Sequence, residues 1–283
     1  MPSLYQEARA VCHELGFRPK KRLGQHFLID ENIIEAILRL VELSERDEIL
    51  EIGPGIGFLT RRLVAKAKRV WAVEVDPLLV EWLQQSPIGN ASSLTLVHAD
   101  VLKLQLGEIL PNRKVKLVAN LPYNISTPVL FRILEEREHF SDLVLMVQQE
   151  VADRMAASPG TKSYGTLSIW CQVHGEILAK VRVSPSAFFP QPKVRSTILK
   201  IGLRSEPLVS AEYFPSLRDV VRACFGQRRK MLSNALGNLL KKERVEIEGL
   251  LRNEGIDPRR RGETLSVHEM IRMACTLKSR EST

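Results

Sequence analysis

Asn120-Leu121-Pro122-Tyr123 gathers a side-chain amide, a following backbone carbonyl, a proline and a phenol in four residues. That set suits activation of an amine whose lone pair is delocalised into an aromatic ring. Acceptors that take the amine's N–H bonds favour a pyramidal, more nucleophilic nitrogen and stabilise the charge that develops on attack. The Asn120 side-chain oxygen and the Leu121 carbonyl are the candidate acceptors. Pro122 fixes the local backbone direction. Tyr123 offers a flat face on which an extruded base can stack, worth about 1–3 kcal/mol. Such acceptors act by holding the amine in place, so the rate would come largely from positioning.

A second constellation lies upstream. Glu51-Ile52-Gly53-Pro54-Gly55-Ile56-Gly57 follows a short apolar run, and its glycines let the chain turn tightly and let a ligand approach the backbone. The spacing is GxGxG rather than the GxGxxG of dinucleotide binders. Glu74 ends the next apolar run, at the separation where a carboxylate accepts from both hydroxyls of a ribose. Asp100 ends the third and can accept from an adenine amino group. Glu51 is an unusual residue for a buried strand end, and it suits a cation such as the ammonium of a methionine. Any one of these acids alone reads as a helix cap or a surface residue. Together they would repel a pyrophosphate, which argues against NAD.

These residues need elements to hold them. Asp30 can cap a helix carrying Ile33, Ile34, Ile37, Leu38 and Val41 on one face. Apolar runs at 48–52, 69–74, 94–97, 115–119 and 143–147 read as strands, separated by helical segments such as those around Leu59–Val64 and Leu78–Leu83. That alternation predicts a mainly parallel sheet with helices on both faces, with ligands held beyond the carboxyl ends of the strands. After about residue 203 the pattern becomes helical. Residues 206–210 read as a linker, and Val220, Val221, Cys224 and Phe225 form an apolar stripe continued by Leu232, Ala235, Leu236, Leu239 and Leu240. Ser266-Val267-His268-Glu269 is a capping box, with Leu265 and Met270 placed as its staple. The expected division is an α/β domain over 1–205 and a small all-helical domain over 206–283.

The glycine turn and the three acids together resemble the class I methyltransferases, which have a Rossmann-like sheet and use S-adenosylmethionine. The resemblance implies that Glu51, Gly53 and Gly55 hold the methionine part, Glu74 the ribose, and Asp100 with Val101 the adenine. Asn120-Leu121-Pro122-Tyr123 alone leaves the methylated atom open, because Asn-Pro-Pro-Tyr relatives act on glutamine side chains or DNA adenine. Three further stretches narrow it: Leu23-Gly24-Gln25-His26-Phe27-Leu28, Phe188-Phe189-Pro190-Gln191-Pro192-Lys193-Val194-Arg195-Ser196, and Phe225-Gly226-Gln227-Arg228-Arg229-Lys230-Met231-Leu232. With them the chain is similar, from about Arg18 to Leu277, to the ribosomal RNA adenine dimethyltransferases, and within them to the bacterial small-subunit branch. This implies dimethylation of two adjacent adenines near the 3′ end of small-subunit RNA, within a pre-ribosomal particle. It further implies that His26 and Leu28 border the cofactor, that Asn120 serves cofactor and catalysis alike, and that Phe188 faces Tyr123 across the target base. Many members carry asparagine at the position of His26, so the contact there is through either side chain or backbone. For Phe188 and Phe189 the alternative is ordinary core packing.

The charge balance agrees with a polyanionic partner: 41 Lys and Arg against 33 Asp and Glu give a net +8. Basic residues cluster at 18–22, at 193–204 and between Arg218 and Arg244. Lys20, Lys21 and Arg22 in the first cluster and Arg228, Arg229 and Lys230 in the third are the expected RNA contacts, the latter at a helix break after Gly226. Hydrophobic residues make up 44%, enough for a core. No run of about 18 uncharged apolar residues suggests a membrane span. The N-terminal segment carries Glu7 and Glu14 without an apolar run, so no secretory signal is expected. The four cysteines are scattered without a CxxC pair, which predicts neither a zinc site nor disulfides and fits a reducing cytoplasm. A monomer is expected. Two other functions remain compatible with the sequence: a dimethylase of large-subunit RNA, and a ribosome assembly factor in which methylation is secondary.

Overall fold

The computed structural model describes residues 2–228, 230–240 and 242–281, and the side chains of all of these except positions 21, 239, 280 and 281. In chain order the first elements are α1 (Leu4–Glu14), β1 (Phe27–Leu28), α2 (Glu31–Val41), β2 (Glu48–Ile52), α3 (Phe58–Val64), β3 (Arg69–Glu74), α4 (Pro77–Gln85) and β4 (Leu94–His98). There follow α5 (Leu106–Ile109), β5 (Val115–Asn120), α6 (Ser126–Glu135), β6 (Phe140–Gln148), α7 (Gln149–Met155), α8 (Thr166–His174), β7 (Gly175–Val183), β8 (Phe188–Phe189) and β9 (Ser196–Leu203). Helices α9 (Phe214–Gly226), α10 (Leu232–Leu240), α11 (Arg244–Asn253) and α12 (Val267–Glu281) complete the chain.

The five expected strands are β2 to β6. They lie in a seven-stranded sheet of order β4-β3-β2-β5-β6-β9-β7. Neighbouring strands from β4 to β6 pair in parallel, and β9 returns antiparallel beside β6. All five residues of β2 are buried, as a strand covered on both faces requires. The strand order reverses on either side of β2, between β3 and β5. Crevices at the carboxyl ends of the strands beside such a switch bind ligands in open α/β sheets. Away from this sheet, β1 and β8 pair as a two-stranded ribbon, Phe27 opposite Phe189 and Leu28 opposite Phe188. Asp30 caps α2 as its sequence predicts, accepting from the Asn32 and Ile33 amides. Ile34, Ile37 and Val41 of that helix are buried.

The chain forms two compact units. One contains residues 1–152 and 176–203, the other 153–175 and 204–283. The expected boundary at residue 205 is therefore corrected: the segment from Asp153 to Gly175 belongs with the C-terminal helices. The cause is α8, nearly every residue of which is buried. Its Trp170 and His174 pack edge-on against Phe214 of α9, with ring centroids 5.5 and 5.4 Å away. The Tyr164 hydroxyl donates to the Leu265 carbonyl at 2.9 Å. The capping box at Ser266 forms in both directions, and Leu265 and Met270 are fully buried beside it.

Candidate active site

The carboxyl ends of β2, β3 and β5 converge on one cleft, lined by Leu23–Leu28, Glu51–Ile56, Glu74, Asp100, Val101 and Asn120–Tyr123 among others. Beyond β2 the chain turns at Gly53 (φ +72°) and Gly55 (φ +61°), both in the left-handed region. A Cβ on Gly55 would stand 2.9 Å from the Phe27 ring, so that position excludes a side chain on space as well as on dihedral angle. Both glycines line the cleft.

Glu74 is held by three amides. Gly55 donates to Oε2 at 3.2 Å, and Val75 and Asp76 donate to Oε1 at 2.9 Å each. Burial still raises its carboxyl above the ordinary range, against the pull of those amides. Glu51 is more extreme. It is 2% exposed, its Oε2 is buried without a hydrogen-bond partner, and burial, with Glu74 adding repulsion, pushes its carboxyl up to about 8. An unpaired carboxylate oxygen at the base of a cleft is a place for a cationic ligand group. Asp100 folds its own turn by accepting from the Leu102 amide at 3.0 Å, and Val101 is buried beside it. The Arg132 guanidinium, on α6, donates to the Leu102 and Leu104 carbonyls and latches this turn.

Asn120 closes β5. Its Nδ2 donates to the His26 carbonyl at 3.1 Å, which orients the amide and leaves Oδ1 as an acceptor. The Leu121 amide donates to Met146 at 3.0 Å, fixing the peptide that follows Asn120. The Tyr123 hydroxyl and Ser196 Oγ share a hydrogen bond of 2.5 Å. Burial raises the Tyr123 phenol and keeps it protonated. The His26 ring stacks on Tyr123 with centroids 5.2 Å apart, and its Nδ1 donates to the Pro190 carbonyl at 2.6 Å. Within the protein, His26 is thus held through both its backbone carbonyl and its ring.

Several expected site residues stand elsewhere. Phe188 is 3% exposed, packed in the core and absent from the cleft wall. Its backbone pairs with Leu28, and the ring facing Tyr123 is that of His26. Lys20 is not free for RNA: its ammonium holds the buried Asp76 at 2.8 Å, and Gln25 donates to the same carboxylate at 2.9 Å. Burial pushes the Asp76 carboxyl up, but Lys20 and Gln25 together outweigh it and hold it below the ordinary range. Arg228 donates to the Lys162 and Tyr164 carbonyls and pairs with Glu263 at 3.3 Å, so it binds its own unit together. Arg22 and Lys230 are exposed. Arg229 and the Lys21 side chain lie outside the described residues. The sequence reading missed Asp76, Ser196 and Arg132. An acid before Pro77 marks a helix cap, and Ser196 closes a stretch already singled out. Arg132 carried no local signal.

The family profile described as "Ribosomal RNA adenine dimethylase" matches residues 16–277. The chain belongs to the ribosomal RNA adenine dimethylase family. A relative from Clostridium botulinum named "Ribosomal RNA small subunit methyltransferase A" is 40% identical over 94% of this chain and 96% of its own length. One of the same name from Bacillus pumilus is 41% identical over 95% of each chain. Among solved structures, a dimethyladenosine transferase from Plasmodium falciparum matches with TM-score 0.78 and 25% identity, covering 90% of this chain and 98% of that one. The 23S rRNA methyltransferase ErmE matches with TM-score 0.66 and 26% identity over 89% and 99%.

A ribosomal RNA adenine dimethylase of this fold uses S-adenosylmethionine, and the residues present fit that cofactor. The orphaned Glu51 oxygen suits an ammonium, and the side-chain-free Gly55 backbone leaves room for a ligand chain. Among the described residues no group of three or more His, Cys, Asp or Glu is placed to hold a metal, and no helix is long and apolar enough to cross a membrane.

Proposed function

We propose that the chain dimethylates the exocyclic amines of two adjacent adenines near the 3′ end of small-subunit ribosomal RNA, within a pre-ribosomal particle. The observation that carries the reading is the oriented Asn120 amide. With Nδ2 committed to the His26 carbonyl, Oδ1 is the atom left to accept an N–H of the target amine. The Leu121 carbonyl takes the second N–H, and Tyr123, held by Ser196, supports the flipped base. Glu51 holds the methionine ammonium, Glu74 the ribose hydroxyls, and Asp100 with Val101 the adenine, while Gly53, Gly55, His26 and Leu28 border the cofactor. S-adenosylmethionine supplies an electrophilic methyl group on a sulfonium. Two acceptors on the amine stabilise the positive charge that grows on its nitrogen, and the rigid β5 end keeps them aligned with it. The small-subunit assignment draws on relatives near 40% identity carrying that name, against 26% for the large-subunit enzyme.

The test is radiolabelled methyl transfer to unmethylated small subunits, followed by nucleoside analysis. Dimethyladenosine in small-subunit RNA is the expected product. Label confined to large-subunit RNA would move the chain to the other branch, and tight particle binding without label would make it an assembly factor. Asn120→Ala should reduce turnover by roughly 100-fold or more, the scale of a lost oxyanion-type contact. Cofactor affinity should weaken far less. Equal loss of both would make Asn120 mainly a cofactor ligand.

A further inference from the structure

The segment from Pro190 to Ser196 is fastened to the reactive site at both ends. Its first carbonyl accepts from His26 Nδ1, the ring stacked on Tyr123. Its last residue, Ser196, is fully buried and bonded to the Tyr123 hydroxyl. The backbone between is restrained as well. Pro192 is buried, the Arg195 carbonyl accepts from the Gln149 amide at 2.9 Å, and Ser196 begins β9 opposite Gln148. Lys193 and Arg195 project from this restrained stretch. Both are exposed, and no ion pair engages either among the described residues. Lys20 and Arg228 differ, since each is neutralised by an acid within its own unit.

We propose that Lys193 and Arg195 bind the RNA phosphates flanking the methylated nucleotide. The proposal rests on the RNA-methylating reading of the same site. A flipped base requires its own backbone to pass directly over the mouth of the pocket. Arg195 is adjacent to the residue that holds Tyr123, and Lys193 is three residues away, at most about 11 Å of extended chain. A strand whose base stacks at Tyr123 therefore runs within reach of both cations. Because the segment is already fixed at its two ends, little backbone entropy is lost on binding. Phosphate contacts position a strand without reading its sequence, and placed here they would set the register of the target base against Asn120.

The experiment compares wild type with the Lys193→Ala, Arg195→Ala double variant, using unmethylated small subunits as the probe. Both residues are exposed, so the fold and cofactor affinity should be unchanged; melting and cofactor titration check this directly. Binding is measured across a salt series, and methyl transfer across a range of particle concentrations. Each phosphate contact on a single strand contributes about 0.7 to the slope of log affinity against log salt, so the double variant should be shallower by about 1.4. Its KM for the particle should rise on the order of tenfold or more, with the effect fading at saturating particle. A Lys193→Arg, Arg195→Lys variant should recover most of the slope. If wild type methylates normally and the double variant keeps the same slope and KM, the phosphate assignment is overturned. A wild-type protein that neither binds nor methylates small subunits would instead remove the functional reading itself.

Discussion

Glu51→Gln isolates the least comfortable group in the molecule. The carboxyl is fully buried with one oxygen unpartnered, and burial pushes it up to about 8 from the ordinary 4.5. In the cofactor-free protein at pH 7 it is therefore about nine-tenths protonated. An ammonium placed against it favours the carboxylate. Cofactor binding at pH 7 should then release about 0.9 proton, falling to about 0.5 near pH 8 and vanishing in Glu51→Gln. Titration calorimetry in two buffers of different ionisation enthalpy reads this number directly. The same group sets a stability slope. An acid whose folded pKa is raised binds more protons folded than unfolded between pH 4.5 and 8, so wild type loses stability as pH rises through that window. Relative to Glu51→Gln the loss from pH 5 to pH 8 is on the order of 3 kcal/mol. The variant should therefore melt higher than wild type at pH 8 and bind cofactor on the order of tenfold or more weaker. No proton release from wild type at pH 7, or equal cofactor affinity in the variant, would refute the assignment of Glu51 to the ammonium.

Gly55→Ala places a Cβ at 2.9 Å from the Phe27 ring in a left-handed backbone, so it should cost about 1–2 kcal/mol for the conformation alone. Its melting point should fall by several degrees and cofactor binding should be lost, as checked by scanning calorimetry and cofactor titration. Arg132→Met removes the donors to the Leu102 and Leu104 carbonyls. It should weaken cofactor affinity on the order of tenfold by loosening the Asp100 turn, while saturating cofactor restores turnover. Unchanged affinity would show that the turn stands without its latch.

The sheet was legible because each of β2 to β6 is a short apolar run, and four of the five observed strands match the expected spans to within one residue at each end. That the proposed cofactor residues line one cleft was legible for the same reason, since strand ends in this topology are where ligands go. β7 was not, because its burial alternates and its exposed positions include Glu176, Leu178, Lys180 and Arg182, as an edge strand permits. The segment 153–175, with α8 as its main element, was assigned to the wrong unit because proximity in sequence stood in for contact, and the burial of Trp170 and His174 against α9 reassigns it. Phe188 and Phe189 are neighbours of the same type, and nothing in the pair says which ring is core and which lies at the ribbon's surface. The fold separates them: Phe188 is fully buried, and Phe189 is half-buried against the same core.

The basic residues make the same point about charge. A net +8 predicts a polyanion but not where it sits, because a lysine beside a buried carboxylate and a lysine in open water are the same letter. The ammonium of Lys20 offsets a buried Asp76 that also caps α4 and donates its own amide to Glu74, so this cation is tied through Asp76 to a residue of the cleft wall. Gln25 joins the same carboxylate and so ties the loop that carries His26 to β3. The carbonyl of Arg22 accepts from Asn124, directly after the reactive loop, while its side chain stays exposed. Lys193 and Arg195 repeat that arrangement on the segment bonded to Tyr123 through Ser196. Cations with a fixed backbone and a free head therefore lie on two segments bonded at or beside the reactive loop, whereas Lys20 is held by an acid of its own unit. On the RNA-methylating reading, that partition rather than total charge marks the proposed path of the strand.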